Sequence, residues 1–383
     1  MISDSARKIL GAVPKPMSLF FIWISHNLRS YKKIKDNFGI IDDYRRRNLK
    51  GENFKADEKL IENFKKFIVY FDKAGAQEFI DSYLGGGKLI CKKKNEYVVD
   101  NIILICCVKD DLKRIKAVYE YHKALGIEHM VFIDNDSSDG TLEFLMGLDV
   151  DVYWTDESYA TGIKTAWVRK IQDIYGYNRW YLIVDSDELF SYVGMENHNI
   201  TEFVYYLTQR GYKRAGAVML DMYSSHELYK DNEKDFVREY RFFDDDSYIE
   251  TNDGKGRMIR GGPRKRVFQT GKNFSEALGK IPMIYAEEED LWTDHQPIPF
   301  QKNYNIPILS VLRHYKFMEG DNKKYREIVQ TQKYHNNSFT YKTYLENEDI
   351  QTMYYDKACE YRCSESLSVL PFLESIDWNS KVE

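Results

Sequence analysis

Two aspartates, Asp185 and Asp187, directly follow a run of large apolar residues, Trp180–Val184. The run has the length and the aromatic and β-branched content of a buried strand. Side chains two residues apart point to the same side of an extended chain, roughly 6–7 Å apart along it. Two carboxylates at a strand end suit Mg²⁺ or Mn²⁺, usually a cation that also holds a phosphate. Asp-x-Asp is also a short and common sequence, and many such pairs are solvated turn acids.

The elements around this pair alternate between predicted strands and predicted helices. Short apolar runs typical of buried strands occupy residues 101–108, 129–133, 150–154 and 180–184. Apolar residues at helical spacing lie between them, over residues 112–125, 141–148 and 162–175. This repetition predicts an α/β fold, a doubly wound and mostly parallel sheet with right-handed crossovers. Such a sheet binds its ligands at the carboxyl ends of its strands, where the two aspartates lie.

Three parts of the chain differ in composition and pattern. Residues 1–95 are rich in lysine and predict an N-terminal, mainly helical appendage, which ends near a run of three glycines at 85–87. Residues 96–320 hold the α/β domain, and residues 321–383 predict a C-terminal helical region with many tyrosines. The α/β domain continues with a predicted helix over 200–209, predicted strands over 215–222 and 306–312, and a predicted irregular region over 223–300.

Composition narrows the classes of partner and the compartment. The chain has 383 residues and a net charge of −5, which argues against a nucleic-acid partner. Its 30 tyrosines, 21 phenylalanines and 6 tryptophans suit sugar rings and protein interfaces alike. The five cysteines are odd in number, and Cys359 and Cys363 have no second pair or histidine cluster to complete a zinc site. A reducing cytoplasm is the predicted location.

One N-terminal apolar run bears on membrane contact. Met17–Ile24 is too short to span a bilayer and is not a convincing signal peptide. Lysines and an arginine flank it, so residues 17–35 predict either a helix lying on the inner face of the membrane or a core helix of the appendage.

The second predicted strand ends in a polar turn that begins with Asp134 and Asn135. At that strand end, Asp134 can accept hydrogen bonds from a base or a ribose hydroxyl, and the helix N-terminus beside it favours a phosphate. The alternative is a purely structural turn, in which Asp139 or Ser138 caps the helix that begins near Thr141.

Together these segments resemble the nucleotide-binding half of family 2 glycosyltransferases, over roughly residues 100–320. The order and spacing of five motifs carry the resemblance: Cys107-Val108-Lys109-Asp110, Tyr121 to Gly126 (Tyr-x-x-x-Leu-Gly), Asp134-Asn135-x-Ser137-x-Asp139-Gly140-Thr141, Gly162-x-Lys164-x-Ala166, and Leu182 to Glu188. The first motif departs from the family, whose members carry Asn-Glu where Lys109-Asp110 stands here.

The resemblance implies a GT-A fold, of Rossmann-like type, and transfer of a sugar from a nucleotide-diphospho donor with inversion of the anomeric centre. It implies that Asp185 and Asp187 bind Mn²⁺ or Mg²⁺, and that Asp134 contacts the uridine or ribose. His314, within a His-Tyr-Lys element after the strand 306–312, would return to the metal or the diphosphate. A lone histidine beside aromatic residues is otherwise a packed, hydrogen-bonded side chain. The further donor-binding residues implied are Lys109, Asn135, Asp139 and Lys164, with Asp185 shared between donor and metal.

A basic segment, Lys255–Lys272, contains seven cations and no acid. Within it, Arg260 and Arg264 flank a flexible Gly261-Gly262-Pro263 stretch. The guanidinium groups of this segment, with Arg264 and Arg266 as the preferred candidates, could bind a diphosphate or an anionic acceptor. The alternative is a solvated, charged loop.

An inverting transferase needs a carboxylate that deprotonates the acceptor hydroxyl. The resemblance places this base downstream of the metal motif, and Asp294 is the preferred candidate. His295, Asp221 and the Glu287–Glu289 triplet are its rivals, and each of these acids is otherwise a surface charge. The implied acceptor is a glycan or a lipid-linked saccharide, in bacterial polysaccharide or glycan assembly.

Three other functions share parts of this pattern. A haloacid-dehalogenase-type phosphohydrolase carries its Asp-x-Asp on the first strand, whereas here the pair follows the fourth. A metal-dependent nucleotidyltransferase would want a Gly-rich, basic loop after the first strand, where this chain has Lys109-Asp110-Asp111. A non-catalytic nucleotide-sugar or glycan-binding protein on the same scaffold is the third alternative.

Overall fold

A computed structural model describes residues 73–84, 89–96, 102–231, 235–252, 256–268, 277–331, 335–347 and 350–379. The chain forms two compact units, Met1–Gly85 and Gly86–Glu383. In the first unit the described part is helix α1 (Lys73–Leu84), which buries Ala76, Phe79 and Ile80. The predicted membrane contact through residues 17–35 lies outside the described residues, as does most of the predicted appendage. No helix in the described ranges is long and apolar enough to cross a bilayer.

The second unit is built on a nine-stranded mixed sheet with helices packed on it, which confirms the α/β class. In sheet order its strands are β1 (Ile90–Lys93), β4 (Asp151–Trp154), β3 (His129–Asp134), β2 (Ile102–Val108), β5 (Arg179–Asp185), β11 (Gly279–Ala286), β7 (Arg214–Met222), β14 (Ile308–Tyr315) and β6 (Glu188–Ser191). Strands β4, β3, β2 and β5 are paired in parallel, as are β7 and β14.

The central parallel strands are buried on both faces, as their unbroken apolar sequences require. Alternate residues of β2, such as Leu104 and Ile105, point into two different cores. The first core packs against helices α2 (Leu112–Ala124) and α5 (Ile200–Gln209), and the second against α4 (Thr161–Tyr175). A short helix, α3 (Thr141–Met146), follows β3. The described sheet is therefore covered by helices on both faces.

The prediction that residues 223–300 are irregular was wrong. They form α6 (Phe236–Glu239), α7 (Gly262–Phe268), β8 (Phe242–Phe243), β9 (Tyr248–Asn252), β10 (Arg257–Gly261), β11, β12 (Leu291–Thr293) and β13 (Gln296–Ile298). Strand β11 lies inside the main sheet, antiparallel to both β5 and β7. The sequence pattern does not predict this strand, because Pro282 is unfavourable in a central strand. The β7 register is irregular between Lys280 and Met283, so Pro282 falls where the ladder is interrupted.

The predicted C-terminal helical region is helical only in part. Helices α8 (Asp321–Thr331) and α9 (His335–Glu346) begin it, and a 3-10 helix follows at Ser364–Val369. Between them β15 (Cys359–Glu360) pairs with β8. The remaining described chain has no helical pattern, and its apolar residues Leu370 and Phe372 pack into the first core.

Candidate active site

The strand ends that carry the predicted site residues meet at one edge of the sheet. Because β11 is antiparallel to β5 and to β7, the strands β3, β2, β5, β7 and β14 all run in the same direction and end at the same edge. Strand β11 begins there, since it runs the opposite way. Strand β6 also begins there, antiparallel to β14, so the carboxyl edge collects side chains from the ends of these five strands and from the starts of two others.

Asp185 is the last residue of β5, and a tight turn leads from it into β6. The backbone N–H of Asp185 donates to Oε2 of Glu188 at 2.9 Å, which fixes the turn. Glu188 is fully buried at the start of β6. Asp185 and Asp187 keep 30% and 19% of their side chains exposed, so both carboxylates remain open to a ligand.

Two lysines neutralise Asp185. Nζ of Lys164, from the first turn of α4, lies 2.5 Å from Oδ1, and Nζ of Lys280, from the start of β11, lies 3.0 Å from Oδ2. Burial alone would raise the pKa of Asp185, but the two ammonium groups outweigh it and hold that pKa well below its usual range. Lys280 also binds Oε2 of Glu188 at 2.7 Å.

Asp187 faces the end of β14. Its Oδ2 lies 3.0 Å from Nζ of Lys316 and 3.4 Å from Nε2 of His314. Burial opposes the ionised form, yet Lys316 and His314 together hold the pKa of Asp187 below its usual range. The structure thus places His314 beside the Asp-x-Asp pair.

A chain of buried polar groups orients His314. Its Nδ1 lies 2.7 Å from Oδ1 of Asp221 on β7, and because an ionised carboxylate only accepts, Nδ1 donates its proton there. Nε of Arg264 donates to the other oxygen of Asp221 at 2.7 Å, and Nη1 of Arg264 donates to the hydroxyl of Tyr344 at 3.2 Å. A carboxylate behind the imidazole is the usual support of a metal-binding histidine. Asp221 is buried with both oxygens bonded, which suits positioning of His314 better than contact with an acceptor.

Asp294 and His295 form the two-residue turn between β12 and β13. Oδ1 of Asp294 lies 3.0 Å from Nζ of Lys164, so a single ammonium binds both Asp294 and Asp185. Nε2 of His295 lies 3.8 Å from the other oxygen of Asp294. Burial alone would raise the pKa of Asp294, but Lys164 and His295 lower it, so Asp294 is ionised at neutral pH. Burial lowers the pKa of His295.

Asp134 ends β3, one strand away from β5 across β2. Its Oδ1 accepts from the backbone N–H of Ser137 at 3.0 Å, while its buried Oδ2 has no hydrogen-bond partner among the described residues. Burial raises the pKa of Asp134. Nδ2 of Asn135 donates to the carbonyl of Glu157 at 2.8 Å, and Nζ of Lys109 donates to the carbonyl of Asn135 at 2.7 Å. Asn135 and Lys109 therefore brace the turn, and Asp134 offers a free acceptor.

Two further predicted donor-binding residues, Asp139 and Arg266, have structural partners instead, as Arg264 has in its buried ion pair with Asp221. The carboxylate of Asp139 accepts from the backbone N–H groups of Leu112 and Thr141, at 2.9 and 3.0 Å, and so serves the starts of α2 and α3. Arg266 donates twice to Asp244, at 2.9 and 3.0 Å. The ends of the predicted basic segment, Lys255 and Lys272, lie outside the described residues.

The donor types at the edge fit a divalent cation. In the described ranges, no three His, Cys, Asp or Glu side chains converge closely enough to hold a metal alone. Mg²⁺ is usually held by one or two carboxylates together with substrate phosphates, not by an all-protein cage. Asp185 and Asp187 supply two partly exposed carboxylates, and His314 supplies an imidazole nitrogen beside Asp187.

Sequence reasoning missed Lys280 and did not single out Lys316. Lys280 is the second residue of strand β11, in a region that was predicted to be irregular. Its approach to Asp185 therefore could not be predicted without that strand. A weak signal was present, since Lys280 precedes the apolar run Ile281–Ala286 as a polar residue at a strand start would.

The hydroxyl of Ser186 donates to the carboxylate of Asp111 at 2.5 Å, which ties the Asp-x-Asp turn to the start of α2.

Comparison with known proteins adds no family: no family model matches the sequence, and no curated protein matches it.

Proposed function

We propose that this chain is a metal-dependent, inverting glycosyltransferase with a GT-A fold. It would move a sugar from a nucleotide-diphosphate donor, preferably a UDP-sugar, to a hydroxyl of a glycan or lipid-linked saccharide. One observation carries the proposal. Oδ2 of Asp134 is buried and has no hydrogen-bond partner among the described residues. It lies at the same edge of the sheet as the partly exposed carboxylates of Asp185 and Asp187, with one strand, β2, between β3 and β5.

The spacing suits a nucleoside diphosphate. Strand neighbours lie about 4.8 Å apart, so the ends of β3 and β5, on either side of β2, are about 10 Å apart. A nucleoside hydroxyl or base N–H would satisfy Oδ2 of Asp134, because a buried acceptor without a partner is costly. The diphosphate would then extend toward Asp185 and Asp187.

The diphosphate end would hold Mn²⁺ or Mg²⁺ through Asp185, Asp187 and the donor phosphates together, and His314, which lies beside Asp187, is the candidate for a further protein ligand. A cation bound there would neutralise charge on the leaving diphosphate. Lys316 lies beside Asp187 and contributes a further positive charge at the same place.

Asp294 is the proposed catalytic base. Its carboxylate is 30% exposed and shares Lys164 with Asp185, so it faces the same space as the donor site. It would take the proton of the acceptor hydroxyl while the hydroxyl oxygen bonds to the anomeric carbon. The bond from that carbon to the diphosphate oxygen breaks on the opposite side, which inverts the configuration.

The proposed location is the cytoplasm. An acceptor at the inner face of the membrane would agree with the predicted contact through residues 17–35.

The test begins with a thermal-shift panel of nucleotide sugars in Mn²⁺, followed by transfer assays on those that raise the melting temperature. We expect transfer that chelation abolishes. Asp187→Ala should lower it roughly 100-fold or more, because one preorganised electrostatic group commonly contributes that much. Asp149→Ala removes an exposed carboxylate before β4 and should leave transfer unchanged.

Full transfer by a folded Asp187→Ala variant would refute the metal assignment. Donor binding without transfer or hydrolysis would favour a binding protein on the same scaffold.

A further inference from the structure

Each oxygen of Asp185 is engaged by a different buried ammonium group. Nζ of Lys164 lies 2.5 Å from Oδ1 and Nζ of Lys280 lies 3.0 Å from Oδ2. The lysine side chains are 4% and 0% exposed, whereas that of Asp185 is 30% exposed. A ligand that approaches from solvent therefore reaches the carboxylate first and meets both ammonium groups behind it.

The two lysines are held in place by more than Asp185. Lys164 also binds Asp294 at 3.0 Å, and Lys280 also binds the buried Glu188 at 2.7 Å. Both ammonium groups lie near the ring of the buried Trp292, 5.4 and 5.7 Å from its centroid. Such cation–π contacts and second carboxylates fix each charge independently of what binds Asp185.

This arrangement opposes a divalent cation that arrives alone. A cation on Asp185 would compete with two ammonium groups for the same oxygens and would be repelled by both. A nucleoside diphosphate reverses the balance, because its phosphates attract the cation and both ammonium groups together. When the cation and the diphosphate bind together, the cation takes the place of the ammonium groups at Asp185, and the phosphates take the place of Asp185 at the ammonium groups.

We propose that Lys164 and Lys280 form an ammonium lock on Asp185, which keeps the affinity for a divalent cation low until a nucleoside diphosphate binds with it. The lock rests on the proposed function, since it concerns the same metal and donor site. The two lysines are positioning residues that couple metal binding to donor binding.

The test measures Mn²⁺ binding to the full chain, with free Mn²⁺ followed by electron paramagnetic resonance, in the absence and presence of saturating UDP. We expect UDP to tighten Mn²⁺ binding by about tenfold or more, within the usual range of coupling between sites. The lock is refuted if UDP leaves the Mn²⁺ affinity of the unmodified chain unchanged.

Variants then assign the coupling to the lysines. Lys164→Met should tighten binding of Mn²⁺ alone by about tenfold and reduce the enhancement by UDP. Lys164→Arg keeps the charge and should bind Mn²⁺ alone more weakly than Lys164→Met does. Lys213→Met removes a lysine at the opposite end of β7 and should change neither affinity. If Lys164→Met fails to fold, Lys280→Met carries the same expectation.

Unchanged or weaker binding of Mn²⁺ alone in a folded lysine variant would overturn the lock, even where transfer is observed. If UDP tightens Mn²⁺ binding, the lysine variants abolish that effect and the chain transfers no sugar, the lock is retained and the transferase proposal is refuted.

Discussion

At the scale of single residues, this protein buries titratable groups where fixed partners define their charge. His122 on α2 is fully buried. Its Nδ1 lies 2.8 Å from the carbonyl oxygen of Val118, and its Nε2 accepts from the backbone N–H of Phe190 at 3.3 Å. This pattern requires a neutral ring, since a proton on Nε2 would remove the acceptor for the backbone N–H of Phe190. Burial lowers the pKa of His122 to about 4.

His122 should make the protein less stable in mild acid. The pKa of His122 is about 4 in the folded protein and near 6.5 in the unfolded chain. As the pH falls from about 6.5 toward 4, the imidazole is therefore protonated in the unfolded chain and not in the folded protein, which favours unfolding. We expect this residue to cost about 2 kcal/mol of unfolding free energy between pH 7 and pH 5. Denaturant unfolding of the unmodified chain and of His122→Gln at both pH values measures it. Equal pH dependence in the two proteins would contradict the prediction.

The residues of the site differ in how far sequence could predict them. Asp185, Asp187 and Asp134 follow recognisable strands, so their convergence at one edge follows from the parallel order of those strands. The partners of these residues could not be predicted in the same way. Lys280 reaches Asp185 only because β11 inserts beside β5, and the pairing of Arg264 with Asp221 depends on long-range packing.

At the scale of elements, α5 shows how local sequence sets helix bounds. The predicted helix over 200–209 is confirmed at both ends. Asn199 caps it by accepting from the backbone N–H of Glu202 at 3.1 Å, and Glu202 accepts in return from that of Asn199 at 2.9 Å. Ile200, Phe203 and Leu207 recur on the face that packs into the first core. Capping box and apolar spacing are both local signals, and they agree.

Removing this cap should destabilise the protein without affecting the carboxyl edge. Asn199→Ala leaves the N–H of Glu202 without its acceptor and should cost about 1 kcal/mol of unfolding free energy. Asn199→Asp retains an acceptor at the same position and is the matched control. Chemical denaturation measures both, and equal losses in the two variants would argue against a capping role.

Strand β11 shows where local signals fail. Its segment Gly279–Ala286 carries Pro282, which is unfavourable in a central strand unless the ladder is interrupted. The interruption is a property of the pairing between β11 and β7, and neither strand alone reveals it. The position of β11 in the sheet therefore depends on its pairing with distant strands, which local sequence patterns do not report.

At the scale of the second unit, the chain's last described segment returns to the sheet. Nε1 of Trp378 donates to the carbonyl of Val193 at 3.2 Å, and its ring stacks on His198 with centroids 4.2 Å apart. Gly194 has a φ of +87°, and a Cβ there would lie 2.6 Å from Nε1 of Trp378. The close approach at Gly194 and the indole contacts together fasten the C-terminal segment beside β6.

Loss of this contact should weaken the whole unit. Trp378→Ala removes a partly buried indole and should cost about 2 kcal/mol, less than a fully buried tryptophan would. Tyr205→Ala removes an aromatic ring that is 64% exposed on α5 and should stay within about 0.5 kcal/mol of the unmodified chain. Thermal and denaturant unfolding measure both changes. A negligible effect of Trp378→Ala would show that the indole contacts of Trp378 contribute nothing to stability.

The insertion of β11 beside β5 also has a consequence for biosynthesis. During translation, β5 leaves the ribosome more than ninety residues before β11, its partner on that side. At ordinary elongation rates the delay is roughly 5–20 s. Throughout it the nascent chain exposes the unpaired backbone of an apolar strand, a template for aggregation. We therefore expect the yield of folded protein to depend on protection of this nascent strand as well as on the stability of the finished sheet.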